Sequence, residues 1–380
     1  MMANRPLRLG MAGGGPGSFI GPVHRMAARL DGRFELVAGA LSRSIEKSRE
    51  QAARWGIASD RVYADPDAMF AAESARADGI EAVAITTPNS SHRDIAAAAL
   101  RAGIAVISDK PMTATLDEAE DLASIVAETG TPFALTYTYT GYAMLREARA
   151  RISAGAIGTV RKVVAEYPQG WLSEAIESTN AQAGWRTDPA RAGAGGAIGD
   201  IGVHAFQMIE YVTGLRATAL CADLPRVVPG RMLDDDCNIL LRLGDVPGVL
   251  MASQISTGER NGVRIRAYGE RGGLEWTHET PDQLILREPD NRLCILHAGA
   301  PGLCDAALAA TRLPPGHPEG LIEAFATLYS DFADAISGAG GILDGRLPGI
   351  TDGLRGMRFI DLAVTSNASR RWISFEGEIL

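Results

Sequence analysis

The sequence predicts two domains: an α/β domain with a doubly wound parallel sheet over residues 1–134, and an α+β domain over residues 135–380 whose mostly antiparallel sheet is covered by helices on one face. The length of 380 residues exceeds what one hydrophobic core ordinarily organises. The first part of the chain alternates short apolar runs with alanine-rich amphipathic stretches, which is typical of β-α-β units. After about residue 137, long helical patterns and alternating strands replace it, which favours an antiparallel sheet.

In the first domain, predicted strands and helices follow one another along the chain. Strands are expected at residues 8–12, 35–41, 82–86 and 105–108, and residues 132–137 open the part of the chain that follows. Helices are expected at residues 24–30, 45–55, 92–102 and 116–129. Parallel strands joined in this way bring their carboxyl ends to one edge of the sheet, where such folds bind ligands.

In the second domain, hydrophobic periodicity predicts two long helices and several strands. The helices are expected at residues 142–154 and 201–213, and the strands at residues 160–167, 238–243, 248–256 and 263–268. Glycine-containing turns at 244–245, 261–262 and 271–273 favour hairpins. Segment 299–316 is rich in Ala, Pro and Gly, and we expect it to be a long loop.

Composition and charge limit the partners of this chain. It has 37 Lys and Arg against 46 Asp and Glu, a net charge of -9, which argues against binding to nucleic acid or an anionic membrane. No apolar run approaches the roughly 20 residues of a membrane span, and we expect no signal peptide. The four cysteines have no CxxC spacing, so we expect reduced thiols and a cytoplasmic protein.

A glycine-rich turn follows the first predicted strand. It reads Gly13-Gly14-Gly15-Pro16-Gly17-Ser18-Phe19-Ile20-Gly21 and leads into a helix. Backbone amides in such a turn can approach a pyrophosphate because no Cβ is in the way. The third glycine of a GxGxxG pattern would fall on Ser18, so a plain tight turn is the alternative. The expected cofactor contacts are Gly13, Gly15, Ser18, Phe19 and Ile20.

The end of the second strand bears on which dinucleotide is bound. NAD-specific sheets place a carboxylate here, which binds the adenosine ribose and repels a 2′-phosphate. This chain has Leu41 there, followed by Ser42 and Arg43, with Lys47 one helical turn on. A hydroxyl and two cations suit a phosphate dianion, so these residues predict that NADP is accepted as well as NAD. The alternative is that Arg43 and Lys47 are only exposed residues at the start of a helix.

Two further strand ends carry polar residues. The third strand is followed by Thr87-Pro88-Asn89-Ser90-Ser91-His92 and the fourth by Asp109-Lys110-Pro111. Both segments lie at the ligand-binding edge of the predicted sheet. The candidates for cofactor binding among them are Thr87, Pro88, Asn89, His92, Asp109 and Lys110. An ordinary loop lysine is the alternative for Lys110.

A second glycine-rich stretch precedes the helix predicted at 201–213. It contains Asp200 and His204, which are four residues apart and can share one helix face. The alternative is that Asp200 is a helix N-cap and His204 a core histidine, but this leaves the glycines at 195, 196, 199 and 202 unexplained. Close approach of the backbone to a ligand is one reason for such glycines.

Several aromatic residues are weaker candidates for a sugar-binding surface, since sugar rings stack on aromatic faces. They are Tyr139, Tyr142, Tyr167, Trp171 and His317. Each is more often an ordinary packing residue, and His317 follows the predicted loop. The run of aspartates at 234–236 has no His or Glu at ligand spacing, so we expect no metal there and a structural or surface role.

These motifs resemble, in order and spacing, those of the Gfo/Idh/MocA oxidoreductases. The resemblance rests on the glycine-rich turn, TTPNSSH, DKP, GWRTDP and GGAIGDIGVH, and extends to GY at 141, LDDD at 233 and HPEG at 317. It implies a Rossmann domain that binds NAD or NADP. Lys110 matches the catalytic lysine of the family, with Asp109 where glutamate is usual. Asp200 and His204 match the family's Asp-xxx-His pair.

The resemblance also implies further contacts and an assembly. Trp185 and Arg186 match a segment that borders the cofactor. Members of the family look like dimers or tetramers built through the antiparallel sheet. The strand predicted at 248–256 alternates, with Val249, Met251 and Ser253 opposite Leu250 and Ala252. An apolar second face of this kind predicts a homodimer or homotetramer.

The activity that the resemblance implies is hydride transfer between nicotinamide and a carbinol carbon of a sugar, inositol or related polyol. The hydroxyl proton must leave as the hydride leaves, so a group that can take a proton should touch it. Either His204 or Lys110 can do so, while Asp200 would orient the substrate. The sequence leaves that choice open.

Two other functions fit the same motifs. One is an NAD-dependent glycosidase that uses a transient redox cycle at the sugar ring. The other is a cofactor-binding regulator without turnover, which the presence of Lys110, Asp200 and His204 disfavours because a sensor needs only the binding loops.

Overall fold

The computed structural model describes residues 5–341 and 345–376. Its α-helices are α1 (Ile20–Leu30), α2 (Ile45–Trp55), α3 (Pro66–Ser74), α4 (His92–Arg101), α5 (Leu116–Thr129), α6 (Ala143–Ser153), α7 (Ala181–Arg186), α8 (Pro189–Ala192), α9 (Val203–Thr213), α10 (Asp305–Ala309), α11 (Leu321–Ile336) and α12 (Ile350–Ser369). No helix of the described chain is long and apolar enough to cross a membrane.

The strands form two sheets. They are β1 (Leu7–Gly13), β2 (Phe34–Ala40), β3 (Ala82–Thr86), β4 (Ala105–Ser108), β5 (Phe133–Leu135), β6 (Val160–Pro168), β7 (Ala219–Asp223), β8 (Asp236–Leu243), β9 (Val246–Ser253), β10 (Arg264–Gly269), β11 (Gly273–Thr277), β12 (Gln283–Arg287), β13 (Leu293–His297) and β14 (Ile373–Ser374). The first sheet has the order β2-β1-β3-β4-β5 and all its pairings are parallel. The predicted doubly wound parallel sheet is thereby confirmed.

The second sheet has nine strands in the order β13-β12-β11-β10-β6-β9-β8-β7-β14. Its pairings are antiparallel except that between β6 and β9, so the predicted mostly antiparallel sheet is confirmed as well. One face is buried, as at Ala165, Leu250 and Ile265, and the helix α9 beside it is buried along its whole length. The core of this unit lies between that face and its helices.

Helix α11 completes the core of the parallel-sheet unit. Tyr329 and Phe332 pack against Phe34 of β2 at ring centroid distances of 5.4 and 5.9 Å, and Phe325 packs against His24 of α1 at 5.1 Å. The described residues up to Thr138 and those between Leu321 and Leu354 therefore form one compact unit. The remaining described residues form the second compact unit. This division differs from the single boundary expected after residue 134, because the chain returns late to cover α1.

Several elements differ from the sequence-based expectations, among them α1, α3 and α10. Helix α1 begins at Ile20 rather than at residue 24, because Pro22 lies in its first turn, where a missing N–H costs nothing. Helix α3 was not predicted, although Asp65 caps it by accepting a bond of 2.8 Å from the Ala68 N–H. The segment 299–316, expected to be a loop throughout, contains α10.

Candidate functional site

In the parallel-sheet unit, residues 13–21, here called the glycine loop, connect β1 to α1. Gly13 and Gly14 have φ of 92° and 84°, which favours glycine. A Cβ at Gly13 would lie 2.8 Å from Thr86 Oγ1, and one at Gly15 would lie 2.7 Å from the Leu41 carbonyl oxygen. The loop therefore passes so close to the ends of β2 and β3 that side chains are excluded.

The end of the glycine loop shows how it meets α1. Ser18 donates its N–H to the Gly15 carbonyl at 3.0 Å and accepts the Gly21 N–H on Oγ at 3.2 Å. A methyl group at Gly21 would overlap the Cα of Gly14, so Gly21 provides the close packing that the third glycine of a GxGxxG pattern provides. Extra residues in the loop displace this glycine from position 18. Ile20 begins α1, and Phe19 before it is 62% exposed.

The end of β2 places the predicted phosphate-binding residues at the start of α2. Ser44 caps this helix by accepting the Lys47 N–H at 3.3 Å, and Ser42 donates its N–H to Ser48 Oγ at 2.8 Å. Arg43 and Lys47 are exposed. Across residues 5–341 and 345–376, neither cation has a carboxylate partner. Both remain available to an anion.

His92 joins the ends of β3 and β4. Its Nε2 lies 2.8 Å from the Thr87 carbonyl oxygen and its Nδ1 lies 2.9 Å from that of Pro111, and the ring is buried. Both ring nitrogens are directed at backbone carbonyl oxygens, and the predicted contact of His92 with the cofactor stays a prediction. Its role in the structure is to hold two ligand-facing segments together.

The other residues of these strand ends keep positions suited to a ligand. Asp109 accepts a hydrogen bond of 2.8 Å from Thr136 Oγ1, which fixes its carboxylate. Lys110 is half-buried directly after it. Asn89 is buried in a short 3-10 turn that begins after Pro88. These residues lie at the carboxyl ends of β3 and β4, as the sequence predicts.

A buried histidine of the same unit was not singled out by any sequence pattern. His24 of α1 has its Nδ1 2.8 Å from the Tyr329 hydroxyl. Burial lowers the pKa of His24 to about 4, and the carboxylate of Asp109 opposes that shift only in part. Burial likewise raises the pKa of Tyr329 well above its usual value. The pair is therefore neutral at physiological pH.

In the other unit, Asp200 lies in a π-helical turn (Ile198–Gly202) that runs into α9. Its Oδ2 accepts hydrogen bonds from Arg186 Nε at 3.1 Å and from Gln254 Nε2 at 2.8 Å. Asp200 is therefore inside the helical segment and is not its N-cap. Single π turns of this kind are frequent at functional sites.

The glycines before this turn have a structural reason. Asp234 accepts the N–H groups of Gly196 at 2.7 Å and Ile198 at 2.8 Å, and a methyl group at Gly196 would overlap the Asp234 carbonyl. The next carboxylate, Asp235, accepts the Val228 N–H at 2.8 Å. Two of the three aspartates thus fix loops, and within the described parts of the chain no three His, Cys, Asp or Glu form a candidate metal site.

His204 lies among aromatic rings in this unit. Tyr139 is at the centre, with ring centroids 5.2 Å from His204, 5.7 Å from Tyr167 and 6.1 Å from Tyr142. Trp276 and His278 complete the group, which we call the aromatic cluster. Its members are Tyr139, Tyr142, Tyr167, His204, Trp276 and His278. His204 is 8% exposed.

Trp185 and Arg186 form a second arrangement near Asp200. The Arg186 guanidinium lies over the rings of Trp185 at 4.3 Å and Trp171 at 5.9 Å while its Nε contacts Asp200. Cation–π contacts and an ion pair together fix the carboxylate from this side. Trp185 in turn donates its indole N–H to Gln182 Oε1 at 3.3 Å.

The structure adds residues that no sequence motif indicated. Gln254, Asn261, Gln169, Trp276 and His278 all contact the predicted residues. The Asn-Gly pair at 261–262 predicts only a turn. In the structure, the Asn261 side chain also forms hydrogen bonds with Tyr139 and His278. Gln169, Gln254, Asn261 and His278 lie just outside the strands, and a single polar residue in a connection carries no pattern that would reveal such contacts. His317, by contrast, is exposed, and its Nδ1 lies 3.2 Å from the Pro314 carbonyl oxygen.

Comparison with known proteins identifies two matching family models and several similar sequences and structures. A family model described as an oxidoreductase family with an NAD-binding Rossmann fold matches residues 7–137, and one described as a GFO/IDH/MocA C-terminal domain matches residues 145–275. The oxidoreductase YfiI of Bacillus subtilis (strain 168) is 34% identical over 98% of both chains. Levoglucosan dehydrogenase of Pseudarthrobacter phenanthrenivorans is 26% identical over 97% of both.

Among solved structures, an inositol dehydrogenase homolog from Azotobacter vinelandii in complex with NAD+ has a TM-score of 0.94 and 36% identity, with 98% of both chains covered. A complex of an inositol dehydrogenase homolog from the same organism with NADH and myo-inositol has a TM-score of 0.91 and 35% identity over 98% of both chains. The similarity thus extends over both units of this chain.

Proposed function

Because the chain belongs to the GFO/IDH/MocA family of oxidoreductases and has its NAD-binding Rossmann domain, we propose that it transfers hydride between the nicotinamide and a carbinol carbon of an inositol, sugar or related polyol. The observation that carries the proposal is the aromatic cluster around His204, with Asp200 one helical turn before it. Aromatic faces stack on the C–H faces of a polyol ring, and polar tips bond its hydroxyls. The relatives named for inositol and levoglucosan support the same substrate class.

The glycine loop fits the diphosphate of NAD. Its backbone lies where side chains would clash, and it leads directly into the N-terminus of α1. In the proposed enzyme, the backbone around Gly13, Gly15 and Ser18 holds the diphosphate, and the segments after β3 and β4 border the nicotinamide end. The nicotinamide, when bound, accepts the hydride from the substrate carbon.

The residues of this chain must remove the hydroxyl proton and hold the substrate. His204 and Lys110 are the two groups proposed to take that proton, and both stay candidates. Asp200, held by Arg186 and Gln254, keeps its carboxylate fixed while it accepts a hydrogen bond from a neighbouring substrate hydroxyl. A fixed acceptor orients the ring without reorganising during the reaction.

The direct test is a screen of inositols, aldoses, levoglucosan and glycosides with NAD and NADP, in which formation of reduced nicotinamide is recorded by absorbance. Net reduction with a free polyol or sugar is the expected result. Release of an aglycone without net reduction would replace the proposal by a glycosidase with a redox cycle. Binding of cofactor without turnover of any compound would contradict the proposed enzyme.

We also propose a homodimer or homotetramer built through the outer face of the nine-stranded sheet. Leu240 of β8 is 50% exposed and lies opposite Val249 of β9, which in turn lies opposite Val164 of β6. A continuous apolar row on an open sheet face is a typical interface. Light scattering should give a mass of at least twice the 40.1 kDa of one chain, and Val249→Glu should lower it. A monomer at micromolar concentration would contradict this assembly.

A further inference from the structure

In the antiparallel-sheet unit, a chain of hydrogen bonds runs from Trp171 to His278, and the donor of each bond can be assigned by starting at Trp171. The indole N–H of Trp171 can only donate, and it lies 3.1 Å from Gln169 Oε1. The amide of Gln169 therefore presents its oxygen to Trp171 and its Nε2 to Asn261 Oδ1 at 2.8 Å. Rotating either amide by half a turn would set two donors against each other. Both amide orientations follow from one donor-only group.

The orientation of Asn261 fixes the tautomer of His278. The two hydrogens of Asn261 Nδ2 point to the Tyr139 hydroxyl oxygen at 3.3 Å and to His278 Nδ1 at 3.2 Å. His278 Nδ1 must accept, so the ring carries its hydrogen on Nε2 and donates it to the Tyr142 hydroxyl oxygen at 2.9 Å. Burial lowers the pKa of His278, which agrees with a neutral ring.

The hydrogen bond from Asn261 to Tyr139 also determines which of the Tyr139 and Tyr167 hydroxyls is the donor in the bond between them. The Tyr139 oxygen already accepts a hydrogen from Asn261, whose nitrogen has no lone pair to offer, so the Tyr139 O–H donates to the Tyr167 oxygen at 2.7 Å. Tyr167 is then left with its own O–H to donate. In the part of the chain that the structure describes, Tyr167 has no acceptor for it, although Tyr167 is only 6% exposed. A buried hydroxyl that can only give its hydrogen onward requires an acceptor.

We propose that Tyr167 is a dedicated hydrogen-bond donor to a substrate oxygen, and that Asn261 is the positioning residue that fixes this direction. The inference rests on the proposed function and adds a chemical requirement to the substrate. At the point that meets Tyr167, the substrate presents an oxygen with a free lone pair, as a hydroxyl, ring ether or keto oxygen does. An ammonium group at that point is rejected, because it offers only hydrogens.

The decisive variant is Asn261→Asp, which keeps the size of the side chain and replaces its donor with an acceptor. Tyr139 then donates to the new carboxylate, and Tyr167 donates to Tyr139 and has no hydrogen for the substrate. We expect kcat/KM to fall about tenfold through a higher KM, with a similar fall for Tyr167→Phe. Because both changes remove one bond, the double variant should be no worse than the more impaired single variant. Tyr63→Phe, which removes a hydroxyl that donates to Glu73 in the parallel-sheet unit, is the matched control and should leave kcat/KM unchanged.

Substrate analogues locate the bond. Among monodeoxy analogues of the compound that is turned over, one should lose about tenfold in kcat/KM with the wild type and nothing further with Tyr167→Phe. Multiplicative losses in the double variant would overturn the inference, as would full activity of Asn261→Asp on the parent substrate.

The tautomer of His278 tests the direction without any turnover. The chain has six histidines, so proton–nitrogen correlation spectra of the imidazole rings are simple, and His278→Gln assigns the signal. We expect the hydrogen on Nε2 in the wild type and on Nδ1 in Asn261→Asp. Hydrogen on Nδ1 in the wild type would overturn the inference. Failure of every polyol and sugar in the screen would instead contradict the proposed function, and the spectra would still decide the direction of the bonds.

Discussion

In the proposed enzyme, the glycine loop contacts the cofactor and the aromatic cluster contacts the substrate, and the two differ in how they are built. The glycine loop is made of consecutive residues. Its path requires that Gly13, Gly15 and Gly21 have no Cβ, because a Cβ there would clash with neighbouring atoms. The aromatic cluster is made of side chains from strands and helices far apart in the chain, joined by directed hydrogen bonds. Backbone recognition suits a cofactor shared by many enzymes, whereas side-chain recognition suits a substrate that differs between them.

The largest expected effect tests one proposed proton-transfer residue from each compact unit. Lys110→Ala and His204→Ala should each lower kcat by at least about a hundredfold, the usual scale for losing a positioned proton-transfer or charge-stabilising group. Lys162→Ala and His297→Ala, at exposed positions, are the controls. Steady-state kinetics on folded protein gives the comparison. Near-normal turnover by either variant would remove that residue from the catalytic set.

Acid should destabilise the parallel-sheet unit through His24 of α1, next to the glycine loop. Its pKa is lowered from 6.5 to about 4 in the folded protein, so the unfolded chain binds a proton that the folded chain does not. The contribution of neutral His24 to the free energy of unfolding is therefore fully present above pH 6.5. It is lost as the pH falls toward 4, by about 3 kcal/mol in total.

Urea unfolding of wild type and His24→Gln across this pH range measures the effect. The variant should lack this part of the pH dependence, while His317→Gln, at an exposed site, should retain it. An unchanged slope in His24→Gln would show that other groups cause the acid sensitivity.

A methyl group at the glycine loop should weaken the cofactor site. Gly21→Ala forces α1 away from Gly14, so we expect about tenfold weaker NAD binding and a loss of stability of about 1–3 kcal/mol. The control is Gly103→Ala, which also changes a glycine but has open space around it and a φ of 73°. That variant should lose about 1 kcal/mol of stability and keep its NAD affinity. Calorimetric titration separates the two, and equal affinities would contradict the packing role.

The smallest expected effect concerns cofactor choice. Arg43 is exposed, so its contact with a 2′-phosphate is screened by solvent, and Arg43→Ala should weaken NADP binding about fivefold with little change for NAD. Titration of both cofactors against both proteins is the measurement. Strict use of NAD by the wild type, or an equal loss for both cofactors, would refute the proposed NADP acceptance.

The sequence predicted the parts of this molecule that depend on local patterns. Most strands and helices of the parallel-sheet unit, the position of Lys110 after β4 and the helical spacing of Asp200 and His204 follow from periodicity and turn residues. The role of Gly21 was hidden because the loop length was unknown. Asn261, Gln254 and the backbone bonds of His92 could not be predicted, since each depends on which distant strand becomes a neighbour.

The late return of α11 has a consequence for synthesis. The first compact unit is formed by two stretches of chain, one ending at Thr138 and the other beginning at Leu321. The ribosome must therefore translate the 182 residues between them (320 − 138) before it synthesises α11. At about 5–20 residues per second, the apolar side of α1 stays uncovered for about 10–40 s on every nascent chain. For that interval the apolar side of α1 lacks its α11 partner, and the core of this unit is completed only after α11 has been synthesised.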